Sequence, residues 1–449
     1  MQTGVQLLEP MRFRFALAKA PSGPCNSAPF RVSSAVPASV AMSSPRSSLR
    51  PLCAGLFVTL LQMFVAVGLI APAGPLSYRY DTLIQHDSYW FANILDRGYA
   101  TTVPPISHKM MEVSNVAFFP AYPALAAVLR YGIHLSTYNS LLVVAQAAAF
   151  GFWSYFFLFC DRWNISPKLQ SLGALAIFAH PTAFFLIAGY SESLFMMALF
   201  GFVYWSGSEG RAAKALAMVH GILMSATRIV GIPCAAIPVV AALAKNGWAG
   251  LRDLRSWLRR YGAAVTVMCG ATLGAFGFFF YCLFRWARWD MYMLTQQAGW
   301  GIAPDYLAVF KGASYRWLIP QLKDPTSASQ MTMTLAAVLF GIVAICEVIP
   351  AIRRKTGWPT RIGFYFAAAV IYYISVSGVA CVEMESMLRY EFCVHALIVL
   401  AFLHFLHQLP PPPALVRRLG LAAVVLLCVV GLGLQGWYIW NFTRGGWVA

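Results

Sequence analysis

His86-Asp87-Ser88-Tyr89-Trp90-Phe91-Ala92-Asn93-Ile94-Leu95-Asp96-Arg97-Gly98-Tyr99 follows the first long apolar run and is itself too polar to cross a bilayer. Trp90, Phe91, Ile94 and Leu95 recur at i, i+1, i+4 and i+5, so on a helix they make one apolar stripe. Asp87 or Ser88 is placed to cap the start of that helix, and Gly98 to end it. The pattern predicts a helix lying in the membrane interface, aromatic side toward lipid, with Asp87 facing water at its head. A carboxylate would then stand at the depth of a lipid head group.

Composition places this helix in a membrane protein. The chain is 59% hydrophobic and only 11% charged, against about 45–50% apolar and about 25% charged for a soluble domain. Apolar runs near 52–72, 117–133, 138–160, 169–188, 190–206, 214–243, 262–284, 332–351, 362–380, 392–408 and 419–440 predict an all-α polytopic protein of about eleven spans. Two large polar loops, about 75–116 and 287–331, interrupt them, and each is expected to carry an interfacial helix. Residues 1–50, rich in Ser, Pro, Ala and Arg, read as a targeting or disordered extension, or as residues preceding a start at Met42. The membrane domain is taken as 51–449.

The formal charge of +17 raises nucleic acid as a partner, but the bases cluster between apolar runs, at Arg252 to Arg260, at Arg353 to Arg361 and at Arg417-Arg418. That is the positive-inside pattern, so nucleic-acid binding is not expected and both large loops fall on the non-cytosolic side. Asp81, Asp87, Asp96, Glu112, Asp290, Asp305, Asp324, Glu383, Glu385 and Glu391 gather there too. Simple alternation puts Glu192 on the opposite, cytosolic side. The run 214–243 is broken by Gly231-Ile232-Pro233, and a broken helix there would reverse that parity. The scattered cysteines form no Cys-x-x-Cys, and no metal site is expected from them or from His404 and His407.

A polar site at the membrane surface beside two large loops suits an enzyme acting on a lipid-linked substrate. Transfer of a sugar from a polyprenyl phosphate needs few parts, because phosphate already leaves well. One carboxylate must take the acceptor's proton, and one or two cations must stabilise the departing phosphate. Asp87 is the candidate base, with Arg228 and Arg389 as candidate phosphate partners and Ser88 beside them. Each has a plainer reading: Asp87 as a helix cap, Arg228 snorkelling to an interface, Arg389 paired with Glu385 or Glu391. Glu112 orients an acceptor or is a solvated loop acid; Glu192 is a site residue or a hairpin acid. A transporter or flippase, with Arg228 and Glu192 lining its pathway, is the alternative class. No repeat of one half of the chain in the other supports it.

Asp87-Ser88 with Arg97-Gly98-Tyr99, Glu112, Ala117-Phe118-Phe119-Pro120-Ala121-Tyr122-Pro123, His180-Pro181-Thr182-Ala183-Phe184-Phe185, Tyr190-Ser191-Glu192-Ser193-Leu194-Phe195 and Ala226-Thr227-Arg228-Ile229-Val230-Gly231 resemble one family. It is that of the second mannosyltransferase of GPI-anchor assembly and its bacterial relatives. The resemblance covers roughly 50–235 and departs from the family at His86, where Trp is common, and at His180, where Asn is common. It implies a GT-C glycosyltransferase fold and a dolichyl or other polyprenyl phosphomannose donor. It also implies inverting transfer, of the α-1,6 GPI type, to a lipid-linked glycan acceptor. Asp87 and Glu112 become the catalytic candidates, with Arg228, Glu192, Arg389 and Ser88 as substrate- or phosphate-binding ones. No cofactor is implied with certainty, a divalent metal is left open, and an accessory membrane subunit is a candidate partner. The location implied is the endoplasmic reticulum membrane in a eukaryote or the inner membrane in a bacterium.

Overall fold

The computed structural model describes residues 45–101, 114–247, 253–315, 325–349 and 357–448. Glu112, Asp324, most of the 1–50 extension and the bases Arg252, Arg353, Arg354 and Lys355 lie outside the described residues.

All regular structure in the described residues is helical. The first eight α-helices are α1 (Pro45–Met63), α2 (Leu76–Asp81), α3 (Asp87–Arg97), α4 (Ala121–Gly132), α5 (Thr137–Arg162), α6 (Pro167–Phe178), α7 (Glu192–Ser206) and α8 (Arg211–Thr227). There follow α9 (Gly231–Cys234), α10 (Ile237–Asn246), α11 (Leu254–Trp286), α12 (Met291–Trp300), α13 (Pro325–Val348), α14 (Ile362–Val379), α15 (Met387–Gln408) and α16 (Ala414–Phe442).

Six helical stretches among the described residues are long and apolar enough to cross a bilayer: Leu49–Ile70, Thr137–Arg162, Arg255–Trp286, Ile362–Val382, Met387–Gln408 and Ala414–Phe442. Of the other five runs expected to span, four are carried by shorter helices, α4, α6, α7 and the series α8 to α10, while the 332–351 run falls mostly within the 24-residue α13. The 169–188 run gives α6, the turn His180-Pro181-Thr182 and a single 3-10 turn, Ala183–Leu186. The 214–243 run gives α8, α9 and α10, broken at Arg228 and around the expected Gly231-Ile232-Pro233.

Helix α5 is the central post, with α1 and α7 against it; α8 packs between α7 and α11, and α14 and α13 pack on α15. The core is aromatic and dry: Phe152, Trp153, Phe156, Phe195, Phe200 and Phe202 have essentially no exposure. Helices α1 and α16 keep most of their apolar surface outward, as helices facing lipid must.

Helix α3 forms where expected and Gly98 ends it with φ 77°, a conformation glycine adopts without Cβ strain. Two expectations about it are corrected. Neither Asp87 nor Ser88 caps it; His86, at φ 46°, holds the preceding position without a side-chain cap bond. The stripe does not face lipid either. Trp90, Phe91, Ile94 and Leu95 are all buried. Phe118 stacks on Trp90 and Trp300 meets it edge-on, and Phe118 and Tyr122 close on Phe91. The Asn115–Tyr122 segment and α12 cover a face that lipid was expected to cover.

Candidate active site

Asp87 is presented by the head of α3, and three contacts fix that head. The Asp87 backbone N–H donates to the Tyr190 hydroxyl at 3.4 Å. The neighbouring His86 Nε2 meets the Gly446 carbonyl at 3.0 Å. The Gly189 N–H donates to the Leu83 carbonyl at 3.1 Å, tying the approach to α3 to the approach to α7. At the other end, the buried Asn115 amide donates to Asn93 Oδ1 at 2.8 Å and to the Gly98 carbonyl at 2.9 Å. Its oxygen accepts the Ala100 N–H at 2.8 Å. Asn115 is therefore the clip that folds the Phe118 segment over α3, a role its sequence context did not single out.

Four charged side chains from four elements meet beside Asp87. Arg389, on the first turn of α15, donates Nη1 to Asp87 Oδ2 at 2.6 Å and sets Nε 3.2 Å from Glu192 Oε1. Arg228, in the extended residue that ends α8, donates Nη2 to the same Glu192 oxygen at 3.1 Å. The cluster therefore reads Asp87–Arg389–Glu192–Arg228, two acids alternating with two bases. Glu192 is thereby corrected to the same end of the molecule as Asp87. The parity changes at α4, which does not cross: Arg130 pairs with Asp96 at 2.9 Å, the Tyr131 hydroxyl donates to the Leu95 carbonyl at 2.8 Å, and Thr137 at the start of α5 donates to Asp96 at 2.7 Å, so α5 starts beside α3. Arg389 pairs with neither Glu385 nor Glu391, the partners nearest in sequence.

The members differ in access. Asp87 and Arg228 side chains are 20% and 18% exposed, whereas Glu192 and Arg389 are 2% and 6% exposed. All four line one cavity of about 730 Å³, walled on the far side by α12 and α14 through Tyr292, Gln296, Ser375 and Ser377. Exposed Tyr306 and Tyr373 stand on its lining. The Arg228 guanidinium also lies 5.1 Å from the Tyr390 ring centroid, a cation–π contact that fixes its direction.

Ser88 does not join the site. It is fully buried behind Asp87, with its hydroxyl against Gly189, whose missing side chain leaves it room. The α12 wall, including Tyr292 and Gln296, was not singled out in the sequence. Its only trace there is a pair of amides, Gln296 and Gln297, in a stretch of ten residues without a charge. Gln296 donates to the Ala117 carbonyl at 3.1 Å and so joins the second loop to the first.

Behind the cluster, His180 Nε2 meets Glu391 Oε2 at 2.7 Å, while the Thr182 N–H donates to His180 Nδ1 at 3.3 Å. His180, Glu391 and His395 bring donor atoms within 4.8 Å of one another, the one such group among the described residues. A divalent ion would suit that donor set chemically. Here, however, the His180–Glu391 bond already uses both partners, and His395 Nε2 meets the Ala176 carbonyl at 3.0 Å.

No protein-family model and no curated protein sequence matches the chain. Solved structures do. ArnT from Cupriavidus metallidurans bound to undecaprenyl phosphate superposes with a TM-score of 0.51 at 13% identity, over 89% of this chain and 69% of that one. The fold resembles that of the GT-C glycosyltransferases. The archaeal oligosaccharyltransferase AglB from Archaeoglobus fulgidus, in complex with an inhibitory peptide and a dolichol-phosphate, superposes at 0.46 with 12% identity, over 88% of this chain and 56% of that one. The expectation of a GT-C type fold is supported in part, as a likeness of fold to the first of these structures, and six long apolar helices are shown among the described residues rather than eleven spans.

Proposed function

We propose that the chain is a membrane glycosyltransferase that takes a sugar from a polyprenyl phosphate and passes it to a lipid-linked glycan acceptor. Mannose is the first sugar to test and a GPI precursor the first acceptor. The observation that carries the reading is that the accessible carboxylate of Asp87 and the accessible guanidinium of Arg228 face one cavity. Their charges are coupled through Arg389 and Glu192. The fold likeness to a structure bound to undecaprenyl phosphate supports a donor of that kind.

The step is a single displacement. The acceptor hydroxyl attacks the anomeric carbon, the bond from that carbon to the phosphate oxygen breaks, and the configuration inverts. Asp87 receives the hydroxyl proton and becomes neutral as the phosphate gains a second negative charge. The total charge in the site is unchanged. Arg389, paired with Asp87 before the step, is released as that carboxylate is neutralised and becomes free to serve the phosphate beside Arg228. Such fixed positive groups stabilise the charge where it develops. Glu112 is retained as a second candidate acid, assigned from the resemblance alone.

Membranes containing the wild type or Asp87→Asn, given radiolabelled polyprenyl phosphomannose and candidate glycolipid acceptors, test this. Transfer is expected from the wild type and a loss of about 10²–10⁴-fold in the variant. Equal transfer by both removes Asp87 as the base. No transfer by the wild type from any polyprenyl phosphate sugar overturns the reading itself. The lipid intermediate that accumulates when the gene is removed identifies the acceptor, and with it the endoplasmic reticulum or bacterial inner membrane as the site of action.

A further inference from the structure

Glu192 begins α7 at its first helical position, where aligned peptide dipoles favour a carboxylate. Its Oε2 is buried and has no hydrogen-bond partner. Its Oε1 accepts a hydrogen bond from Arg228 Nη2 at 3.1 Å and lies in an ion pair 3.2 Å from Arg389 Nε. A carboxylate this enclosed has no oxygen left to offer a bound substrate, so it acts through the two guanidiniums. We propose that Glu192 is a positioning and charge-balancing residue. It sets the spacing of Arg228 and Arg389 and trims the positive charge they present, so that phosphate is gripped in the transition state and released afterwards.

The charges support this. Asp87 and Glu192 together cancel Arg228 and Arg389, and the site is neutral when empty. Without Glu192 the two arginines would face the cavity with only Asp87 to oppose them. At the moment of product release Asp87 would carry the proton, and both positive charges would bear on a doubly charged lipid phosphate. The product would then leave slowly. The same loss would free Arg389 to swing, and Asp87 would lose its fixed partner.

The kinetic half of this inference rests on the proposed glycosyl transfer; the phosphate-affinity half does not. Purified protein in detergent would be titrated with farnesyl phosphate as the probe, and sugar transfer measured in parallel. Glu192→Gln is expected to bind farnesyl phosphate about tenfold more tightly while kcat falls about tenfold or more. Glu192→Asp keeps the charge but draws the oxygen back by one methylene. It is expected to keep wild-type phosphate affinity and still lose kcat, and it serves where Glu192→Gln does not fold. Unchanged or weaker phosphate binding in a folded Glu192→Gln protein would overturn the proposal, as would wild-type kcat in Glu192→Asp. Joint loss of affinity and kcat in Glu192→Asp would instead mark Glu192 as a substrate contact. Tighter farnesyl phosphate binding in Glu192→Gln, with no sugar transfer by the wild type, would sink the transferase reading and leave the charge balance standing.

Discussion

Arg389 joins two carboxylates with two different nitrogens, which only a planar, rigid fork does well. Arg389→Lys keeps the charge but cannot reach both acids. It should cost about 1–2 kcal/mol of stability, in line with a lost charged hydrogen bond, and most of the transfer activity. Arg389→Met leaves two partly or fully buried carboxylates without their shared partner and should cost about 3–5 kcal/mol. Thermal unfolding in detergent, read beside the transfer assay, separates the two variants, and equal stability loss in both would refute the bridging role. Asp87, Glu192, Arg228 and Arg389 were each legible in the sequence as acids or bases out of place beside apolar runs. Their pairing was not. Glu383, Met384 and Ser386 adopt positive φ values and turn the chain into α15, aiming Arg389 at α3. Non-glycine residues in that region give no sequence signal. Ser88 looked equivalent to Asp87 because the two are adjacent, but adjacent positions on a helix point roughly 100° apart.

At the scale of elements, the break at Arg228 depends on how closely α8 approaches α11. Ser225 donates to the Ala271 carbonyl at 2.6 Å and accepts the Ala275 N–H at 3.2 Å, a hydrogen-bonded seam between small residues. A Cβ on Gly274 would lie 2.1 Å from the Ile222 carbonyl oxygen, so the helices would have to separate one turn before Arg228. Gly274→Ala is expected to cost about 1–3 kcal/mol, the usual range for overpacking. It should also lower transfer, because Arg228 would be carried away from Glu192. A wild-type melting temperature with wild-type activity would show that the seam does not set the position of Arg228. The α3 helix and the Gly231-Ile232-Pro233 interruption were legible because period, proline and glycine act locally. The partner of the α3 stripe was not: an apolar stripe states that something covers it, and lipid, Phe118 and Trp300 satisfy it equally well. Asn115, buried and fully bonded, is what decided in favour of the protein.

At the scale of the molecule, the bundle of α13, α14 and α15 carries a polar layer at each end. The active-site layer uses the C-terminal end of α14 and the first turn of α15. The second layer lies at the opposite ends of the same helices, about 25 Å along α14 at the rise of a helix. There Arg361, with no exposure, donates Nη2 to Glu347 Oε1 at 2.5 Å and Nη1 meets His404 Nδ1 at 3.0 Å. The Tyr365 hydroxyl donates to the same Glu347 oxygen at 2.9 Å. His404, singled out in the sequence only as a residue not expected to hold a metal, is one arm of this knot. The membrane class was legible from composition because a bilayer filters residues by polarity; the knot was not, because its members come from three separate elements whose packing no local pattern announces. The knot clamps the three helices at the end where α15 gives way to α16, so that their other ends hold the cavity walls. Arg361→Met should therefore destabilise the protein by about 3–5 kcal/mol, the cost of leaving Glu347 without its buried partner. Arg361→Met with Glu347→Leu removes both charges and should recover most of that loss. Thermal unfolding of the two variants in the same detergent measures the difference. A double variant as unstable as the single one would mean that Arg361 holds the bundle through contacts other than Glu347.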